Sequence, residues 1–240
     1  MCTSFVFRKN NKVFVGMNFD NDGKEFKISD ASKGGFSILI KVRNAFFPSI
    51  GVNRNGVFVN DQMVDANEQG VYKRQNEKRW VTSKLVDTIL RENLSFSEVL
   101  ATLGQVEIVN NPYLSAHNLI VDTRGNVCIV EPGKRYIVSK AEETDWVILT
   151  NFPISDYGDV VPQKVAGSGS DRYLKGLSLL KNVKNKMTVK TGFSILHELQ
   201  QNGPVWTTEV SLVYDAAHSE LYYCLNRNFQ AIKKISLHLY

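Results

Sequence analysis

Cysteine is scarce in this chain, standing only at positions 2, 128 and 224, an odd number with no CxxC pair. That pattern excludes a disulfide framework and a zinc ribbon. The four histidines are scattered and form no ligand spacing such as HExxH, so we expect no metal and no cofactor. A reducing, cytoplasmic setting fits this cysteine usage and would leave Cys2 a free thiol.

Long apolar runs are missing as well. No stretch approaches the roughly 18 apolar residues of a membrane helix, and no basic segment followed by an apolar one opens the chain. We therefore expect no membrane anchor and no secretory signal. The net charge of +5, from 29 basic and 24 acidic residues, is spread along the chain. A spread excess is typical of a solvated surface and predicts no nucleic-acid partner.

The start of the chain is its most informative stretch, because Cys2 directly follows Met1 and opens an apolar segment. Removal of Met1 would place a thiol nucleophile and a free α-amine on one residue. An α-amine has an ordinary pKa of about 7.7–8.0, which suits a general base at neutral pH. The alternative is a small buried apolar residue at the start of a strand, which is the common role of an isolated cysteine.

A hairpin near the N-terminus bears on that choice. Residues 2–7 and 13–19 read as strands joined by a short polar turn. Antiparallel pairing would return the end of the second strand, and with it Asp20, to Cys2. Asp20 fits a plain turn residue equally well, since Asp, Asn and Gly surround it. His117 offers a Cys–His pair, although a histidine in a strand is more often a satisfied core residue.

Strands and helices come in blocks. Helical spacing predicts helices in two pairs, over 83–92 with 95–103 and over 171–180 with 191–201. Ser95 and Glu98 form a capping-box pattern at the start of the second helix. Strands precede, separate and follow the pairs, which is not the alternation of a doubly wound fold. The order predicts an α+β fold of antiparallel sheets with helices on the outer faces, in a single domain over 1–240.

Four segments occur in a fixed order: Met1-Cys2-Thr3-Ser4, Gly16-Met17-Asn18-Phe19-Asp20, Leu149-Thr150-Asn151-Phe152-Pro153 and Gly167-Ser168-Gly169-Ser170-Asp171-Arg172-Tyr173. Together they resemble the choloylglycine hydrolase, penicillin V acylase and linear amide C–N hydrolase family of N-terminal nucleophile hydrolases. Each segment is weak alone, and four in order over residues 2 to about 175 are fairly specific. The resemblance implies a four-layer αββα sandwich from which Met1 is removed. The glycine-rich segment lacks the features of a nucleotide loop.

The resemblance also implies roles for individual residues. Cys2 would be the nucleophile with its own α-amine as base, and Asp20 would hold both groups in place. Asn151 would donate a hydrogen bond to the oxyanion, and Arg172 would orient the nucleophile region. A second oxyanion donor is expected at Asn60, with Gln62 as the alternative, because the register through this segment is ambiguous.

One departure from the family pattern concerns the region of the thiol. Met17 stands where the bile-salt and penicillin V enzymes have an arginine, which removes one means of lowering the thiol pKa. This weakens the case for a bile salt as substrate. Phe19, Phe58, Met63 and the loop over 65–78 are candidates to line an acyl pocket.

The leading hypothesis is hydrolysis of the linear amide of a small N-acyl compound, of the penicillin V, bile-salt or N-acyl-amide type, through a thioester on Cys2. A second hypothesis is acyl transfer of the isopenicillin N acyltransferase type, in which an amine resolves the thioester. A third is a non-catalytic family member. The resemblance also implies a homo-oligomer, either a tetramer or a dimer.

Overall fold

The structure is a computed structural model that describes residues 1–29, 35–66 and 68–239. Its strands, in chain order, are β1 Thr3–Lys9, β2 Lys12–Asn21, β3 Phe26–Ile28, β4 Phe36–Val42, β5 Ala45–Val52, β6 Phe58–Asn60, β7 Gln62–Met63, β8 Arg79–Val81, β9 Glu107–Val109, β10 Ala116–Val121, β11 Val127–Val130, β12 Ile137–Ser139, β13 Trp146–Leu149, β14 Thr207–Asp215, β15 Glu220–Leu225 and β16 Lys233–Ser236. Its α-helices are α1 Thr82–Arg91, α2 Phe96–Leu103, α3 Ser170–Val183 and α4 Val189–Glu198.

The hairpin predicted at the N-terminus is confirmed. β1 and β2 pair antiparallel from Thr3 opposite Asn18 to Lys9 opposite Lys12. The two-residue turn between them has φ of 52° and 60°, a left-handed conformation that asparagine tolerates and that matches the twist of the strands. Gly16 faces Phe5 across the pair, and a Cβ on Gly16 would lie 2.2 Å from the Phe5 ring. Glycine at this position lets the ring lie flat over the hairpin.

Two antiparallel sheets form the body of the molecule. The first has six strands in the order β13-β1-β2-β14-β15-β16, so that the N-terminal hairpin occupies its interior. The second has eight strands, in the order β12-β11-β10-β6-β5-β4-β3 with β7 also pairing to β10. A short parallel pair, β8 with β9, stands apart from both sheets.

Helices cover the outer face of each sheet. α3 and α4 pack on the six-stranded sheet, where α4 lies against β2 and β14 and α3 lies against β1 and β13. α1 packs on β5, β6 and β10 of the eight-stranded sheet. The capping box predicted for α2 is confirmed, since the Ser95 side chain and the Glu98 side chain each bind the other residue's backbone N–H.

Two hydrophobic clusters account for this layering. The larger one joins side chains of both sheets to α3 and α4, and it includes Tyr173 and Phe193. The smaller one lies between the eight-stranded sheet and the helices α1 and α2, and it includes Leu85 and Ile89. Each such side chain contributes about 1.5–3 kcal/mol by leaving water. The predicted α+β sandwich, with antiparallel sheets inside and helices outside, is confirmed.

The structure differs from the predicted elements in detail. β3, β7, β8 and β9 contain only two or three residues each, too few to show an alternation in the sequence. The last strand covers only Lys233–Ser236, because turns occupy the segment over 226–231. No helix among the described residues is long and apolar enough to cross a membrane.

Candidate active site

Cys2 lies directly before β1 and beside the end of β2. Its Sγ is 3.9 Å from the main-chain oxygen of Asp20, and the terminal amine of Met1 donates to the same oxygen at 3.2 Å. Cys2 is only 6% exposed, and burial raises the pKa of its thiol. Burial also lowers the pKa of the Met1 amine. With Met1 attached, the thiol is therefore covered and held in its protonated form.

The Asp20 carboxylate is buried behind Cys2 and accepts two hydrogen bonds. Thr208 Oγ1 and Gln201 Nε2 each donate to it at 2.5 Å. Arg172 Nη1 lies 3.7 Å from Asp20 Oδ2. Burial raises the pKa of Asp20 to about 6, although the two donors and the Arg172 charge oppose the shift. Thr208 is the residue of β14 that pairs with Asp20 across the sheet.

The Arg172 guanidinium joins the candidate residues to one another. Nη1 donates to the main-chain oxygen of Cys2 at 3.0 Å and also to Thr3 Oγ1, while Nη2 donates to Asn151 Oδ1 at 2.7 Å. The side chain is largely buried, so these contacts are made away from bulk water. A planar fork of N–H donors can serve several acceptors in one plane, which an ammonium group cannot do.

The loop before α3 is built to let Arg172 reach the site. Gly169 has φ of 75°, and a Cβ on it would lie 2.6 Å from Arg172 Nη2. Glycine is therefore needed both for the left-handed backbone and for the passage of the guanidinium. Asp65 Oδ2 accepts a hydrogen bond from Ser168 N at 2.8 Å, which ties the same loop to the segment after β7.

Two hydrogen bonds fix the orientation of the Asn151 amide. Its Oδ1 faces the Arg172 donor, so its Nδ2 must point the other way, where it donates to the main-chain oxygen of Met63 at 2.6 Å. An amide nitrogen carries two protons, and this bond uses one of them. The second proton is left for another acceptor.

Asn60 occupies a different place from the other predicted residues. It is completely buried, its Nδ2 donates to Ser4 Oγ at 2.9 Å, and its Oδ1 accepts from Leu119 N at 3.0 Å. These are contacts of the core, and the side chain does not join Asn151 and Arg172 around Cys2. The structure therefore gives no geometric support for Asn60 as an oxyanion donor.

Gln62, the alternative to Asn60, binds the main chain on both sides of the site. Its Nε2 donates to the main-chain oxygens of Cys2, at 3.2 Å, and of Thr150, and its Oε1 accepts from Ser4 Oγ at 2.8 Å. Both of its N–H groups are therefore used on main-chain carbonyls. His117 likewise contacts Thr150 and Glu131 rather than the thiol, so the structure does not form the Cys–His pair.

Among the residues considered for an acyl pocket, Phe58 is completely buried and Phe19 nearly so, which makes both part of the core. Met63 is half-buried and adjoins Asn151 through its main-chain oxygen. In the loop over 65–78, Asn67 lies outside the described residues, and Asp65 N donates to Asn151 O at 2.7 Å. Met63 and Asp65 are thus the members of this set that adjoin the site.

Gln201 and Thr208 were missed from the sequence, and so was the contact of Asp65 with the loop before α3. Gln201 and Thr208 reach Asp20 only because β14 pairs with β2 across almost two hundred residues of chain. Nothing in a local pattern marks such a partner. Asp65 could have been suspected from its position in a polar loop after a short strand, but its contact at Ser168 is equally remote in sequence.

An open depression of about 340 Å³ adjoins the site. It is lined by Met1, Gly169, Asp171, Arg172, Lys175, Glu198, Gln200 and Gln201. A second depression, of about 370 Å³, lies between the α2–β9 connection and residues 133–136, and its lining includes Gln69 and Lys73 but neither Cys2 nor Arg172. Within the described part of the chain, no group of three or more His, Cys, Asp or Glu side chains is arranged to hold a metal ion.

This arrangement brings together a thiol, an adjacent terminal amine, a buried acid, a cation and an oriented amide donor. Such a set can attack a carbonyl carbon and stabilise the charge that develops on its oxygen. The family described as linear amide C–N hydrolases, choloylglycine hydrolase family, matches residues 2–157.

Solved structures resemble the whole chain. A mutant of the conjugated bile acid hydrolase from Clostridium perfringens superposes with a TM-score of 0.73 and 16% identity, over 98% of this chain and 92% of that one. Penicillin V acylase from Agrobacterium tumefaciens gives 0.64 and 16%, over 100% and 94%. The Caenorhabditis elegans ortholog of N-acylethanolamine-hydrolyzing acid amidase gives 0.62 and 14%, over 90% and 93%. At these identities the likeness shows a shared fold. A search of curated protein sequences found no match.

Proposed function

The chain belongs to the choloylglycine hydrolase family of linear amide C–N hydrolases, and from that premise we propose that it hydrolyses the amide bond of a small N-acyl compound through a thioester on Cys2. The observation that carries the proposal is the convergence on Cys2 of Asp20, Asn151 and Arg172, which come from three distant parts of the chain.

Removal of Met1 is the first step of the proposal. It would turn the Met1–Cys2 amide nitrogen into a free α-amine within the same residue as the thiol. It would also uncover a thiol that is 6% exposed while Met1 is in place. Gln201 Nε2 now donates to the Met1 oxygen at 3.2 Å as well as to Asp20. Loss of Met1 frees that contact while the one to Asp20 persists.

Acylation follows from the groups present. The thiol proton passes to the α-amine as Sγ forms a bond to the amide carbonyl carbon, and the carbonyl oxygen becomes an oxyanion. The free N–H of Asn151 donates to this oxyanion. The C–N bond then breaks, the ammonium returns its proton to the leaving nitrogen, and an amine departs. The acyl group remains on Cys2 as a thioester.

Deacylation uses the same groups in reverse. The α-amine takes a proton from water as the water oxygen attacks the thioester carbonyl. The C–S bond then breaks as the ammonium returns this proton to Sγ, which gives a carboxylic acid, the free thiol and the free amine. Arg172 holds the Cys2 carbonyl and the Asn151 amide in a fixed relation throughout, and Asp20 balances the charge of Arg172 and of the amine. Loss of one oxyanion donor typically costs about 10²–10³ in turnover.

The substrate class is proposed from the family and from the names of its structural neighbours. Those neighbours are named for a conjugated bile acid, penicillin V and N-acylethanolamines. The three share a linear amide between an acyl group and a small amine. We assign the same class to this chain, and we place it in a reducing compartment such as the cytoplasm because the thiol must stay free.

A substrate panel with intact-mass analysis tests the proposal. Penicillin V, a glycine-conjugated bile acid and an N-acylethanolamine are each incubated with wild type, Cys2→Ala and the matched control Cys128→Ala, whose cysteine is buried in the other core cluster. We expect release of amine by wild type and Cys128→Ala and none by Cys2→Ala. Undiminished turnover by Cys2→Ala would refute the proposal. Added amine acceptors that capture the acyl group would show transfer in place of hydrolysis.

A further inference from the structure

A buried histidine–glutamate pair lies behind the candidate active site and has no part in the chemistry proposed above. His117 is on β10, and Glu131 directly follows β11. They are 0% and 3% exposed, and His117 Nδ1 lies 3.3 Å from Glu131 Oε1. Burial of two such groups is costly unless their hydrogen bonds are satisfied, so their contacts indicate what they do.

The contacts of the two side chains define their hydrogen-bond roles. His117 Nε2 lies 2.9 Å from the main-chain oxygen of Thr150, and a carbonyl oxygen only accepts, so Nε2 carries a proton. Glu131 accepts from Ile154 N at 2.7 Å, from Ser155 N at 3.1 Å and from the Ser155 hydroxyl. A carboxyl group that meets donors on both oxygens is ionised. His117 Nδ1 faces Oε1 of this carboxyl group at 3.3 Å.

The pKa of Glu131 agrees with that assignment. Burial alone would raise it, but the hydrogen bond and charge of His117, the Ser155 hydroxyl and the Ile154 N–H outweigh burial and lower the pKa to about 2. His117 and Glu131 thus form a hydrogen-bonded pair inside the protein.

This pair holds the chain on both sides of Asn151. β13 ends at Leu149, so Asn151 lies just beyond the last residue that the sheet ladder fixes. On one side His117 donates to Thr150 O, and on the other Glu131 accepts from the main chain at Ile154 and Ser155. The turn that carries Asn151 is therefore held between two groups that are bonded to each other.

We propose that His117 and Glu131 are positioning residues, which fix the turn over 150–155 so that the Asn151 N–H meets the oxyanion. The inference rests on the proposed function, because it assigns a purpose to the placement of Asn151. Neither side chain touches the substrate. We expect their effect on turnover to pass through the placement of Asn151.

A double-mutant cycle tests this dependence. The turnover number kcat and KM are measured with penicillin V, or with the best-hydrolysed amide of the panel, for wild type, His117→Gln, Asn151→Ala and the double variant. Each kcat is expressed per Cys2 thiol that reacts with a thiol label, which removes any loss of folded protein. A misplacement of 1 Å can cost about 10² in rate, so we expect His117→Gln to lower kcat by about 10- to 100-fold with a much smaller change in KM.

The decisive comparison is made in the Asn151→Ala background. If His117 acts through Asn151, His117→Gln lowers kcat no further there. An equal loss in both backgrounds, or no loss in wild type, would overturn the inference. If activity depends on neither Cys2 nor Asn151, the proposed function fails and this inference with it. If activity depends on both but not on His117, the inference alone fails.

A second variant covers the case in which His117→Gln leaves an unpaired buried charge and does not fold. His117→Leu/Glu131→Leu removes both partners of the pair together, which proteins tolerate far better than removal of one. We expect it to fold and to show the same loss of kcat per reactive thiol, and wild-type kcat would overturn the inference. The matched control is Ser139→Ala, which removes a buried contact to Arg8 at the far end of β1 and should leave kcat per reactive thiol unchanged.

Discussion

Replacement of Arg172 by methionine should damage stability and turnover together. The guanidinium donates to the Cys2 oxygen, to Thr3 Oγ1 and to Asn151 Oδ1, and it faces the buried Asp20 carboxylate. Methionine keeps the apolar stem but supplies no donor. It leaves three acceptors without this partner and leaves Asp20 without its nearest cation.

The size of the effect follows from these contacts. Hydrogen bonds from a charged donor contribute about 1.5–3 kcal/mol each, but their sum is an upper limit because the three share one group. Removal of one partner from a buried ion pair costs about 3–5 kcal/mol. We expect Arg172→Met to lower the free energy of unfolding by about 3–5 kcal/mol, which is a fall in Tm on the order of 10 °C at this chain length. We expect kcat to fall by about 10² or more because Asn151 is no longer held.

Two further variants separate the causes. Arg172→Lys keeps the charge and loses the planar fork, so its stability should lie between those of wild type and Arg172→Met, with turnover still impaired. Lys175→Met is the matched control one turn further along α3, since Lys175 and Glu198 form an ion pair with both side chains about half exposed. Such a surface pair contributes at most about 1 kcal/mol.

The assay is urea unfolding followed by tryptophan fluorescence, with kcat measured per reactive thiol on the same preparations. The free energies of unfolding can be compared if their slope against urea concentration is the same for all variants. The reasoning is refuted if Arg172→Met lies within 1 kcal/mol of wild type, or if Lys175→Met costs as much as Arg172→Met.

Three other variants follow from the geometry. The pKa of Asp20 rises from 3.8 to about 6 on folding. Between these two pH values the native state therefore binds more protons than the unfolded state. The free energy of unfolding should fall by about 3 kcal/mol as pH rises through this range. Asp20→Asn should lack this component, and unfolding curves of the two proteins with equal pH dependence would contradict it. Gly169→Ala should lower both stability and kcat, because the new Cβ would meet the Arg172 guanidinium. The control is Gly158→Ala: Gly158 has a similar φ of 67°, but a Cβ there would have nothing within 4 Å, so this variant should lose stability alone. Equal kcat for the two variants would contradict the argument. Met17 is completely buried, so Met17→Arg, although it restores the family's residue, should lower the free energy of unfolding by about 3–5 kcal/mol, and unchanged urea unfolding would show that the arginine finds a partner.

The sequence allowed prediction where the signal is local. The hairpin of β1 and β2 followed from two apolar segments and a polar turn, and the start of α2 followed from Ser95 and Glu98. The grouping of strands and helices into blocks was enough to predict the antiparallel sheets. The hairpin and the helix start each depend on residues within about twenty positions of one another.

Features that depend on strand register or on pairing between distant strands could not be predicted from the sequence. Asn60 and Gln62 stand two residues apart on successive short strands, and a one-residue change of register reverses which side chains face the core. The apolar pattern around them does not fix that register. The hydrogen bonds of Asp20 with Gln201 and Thr208 depend on the pairing of β2 with β14, for which no local pattern exists.

The central claim is that Cys2, freed of Met1, carries the acyl group of an amide substrate. The most direct measurement is intact and peptide mass spectrometry of the purified protein, before and after a rapid acid quench of its reaction with penicillin V. We predict a mass that lacks Met1 and, after the quench, a phenoxyacetyl adduct on Cys2 that hydroxylamine removes. Retention of Met1 in active protein, or an adduct on any residue other than Cys2, would contradict the account.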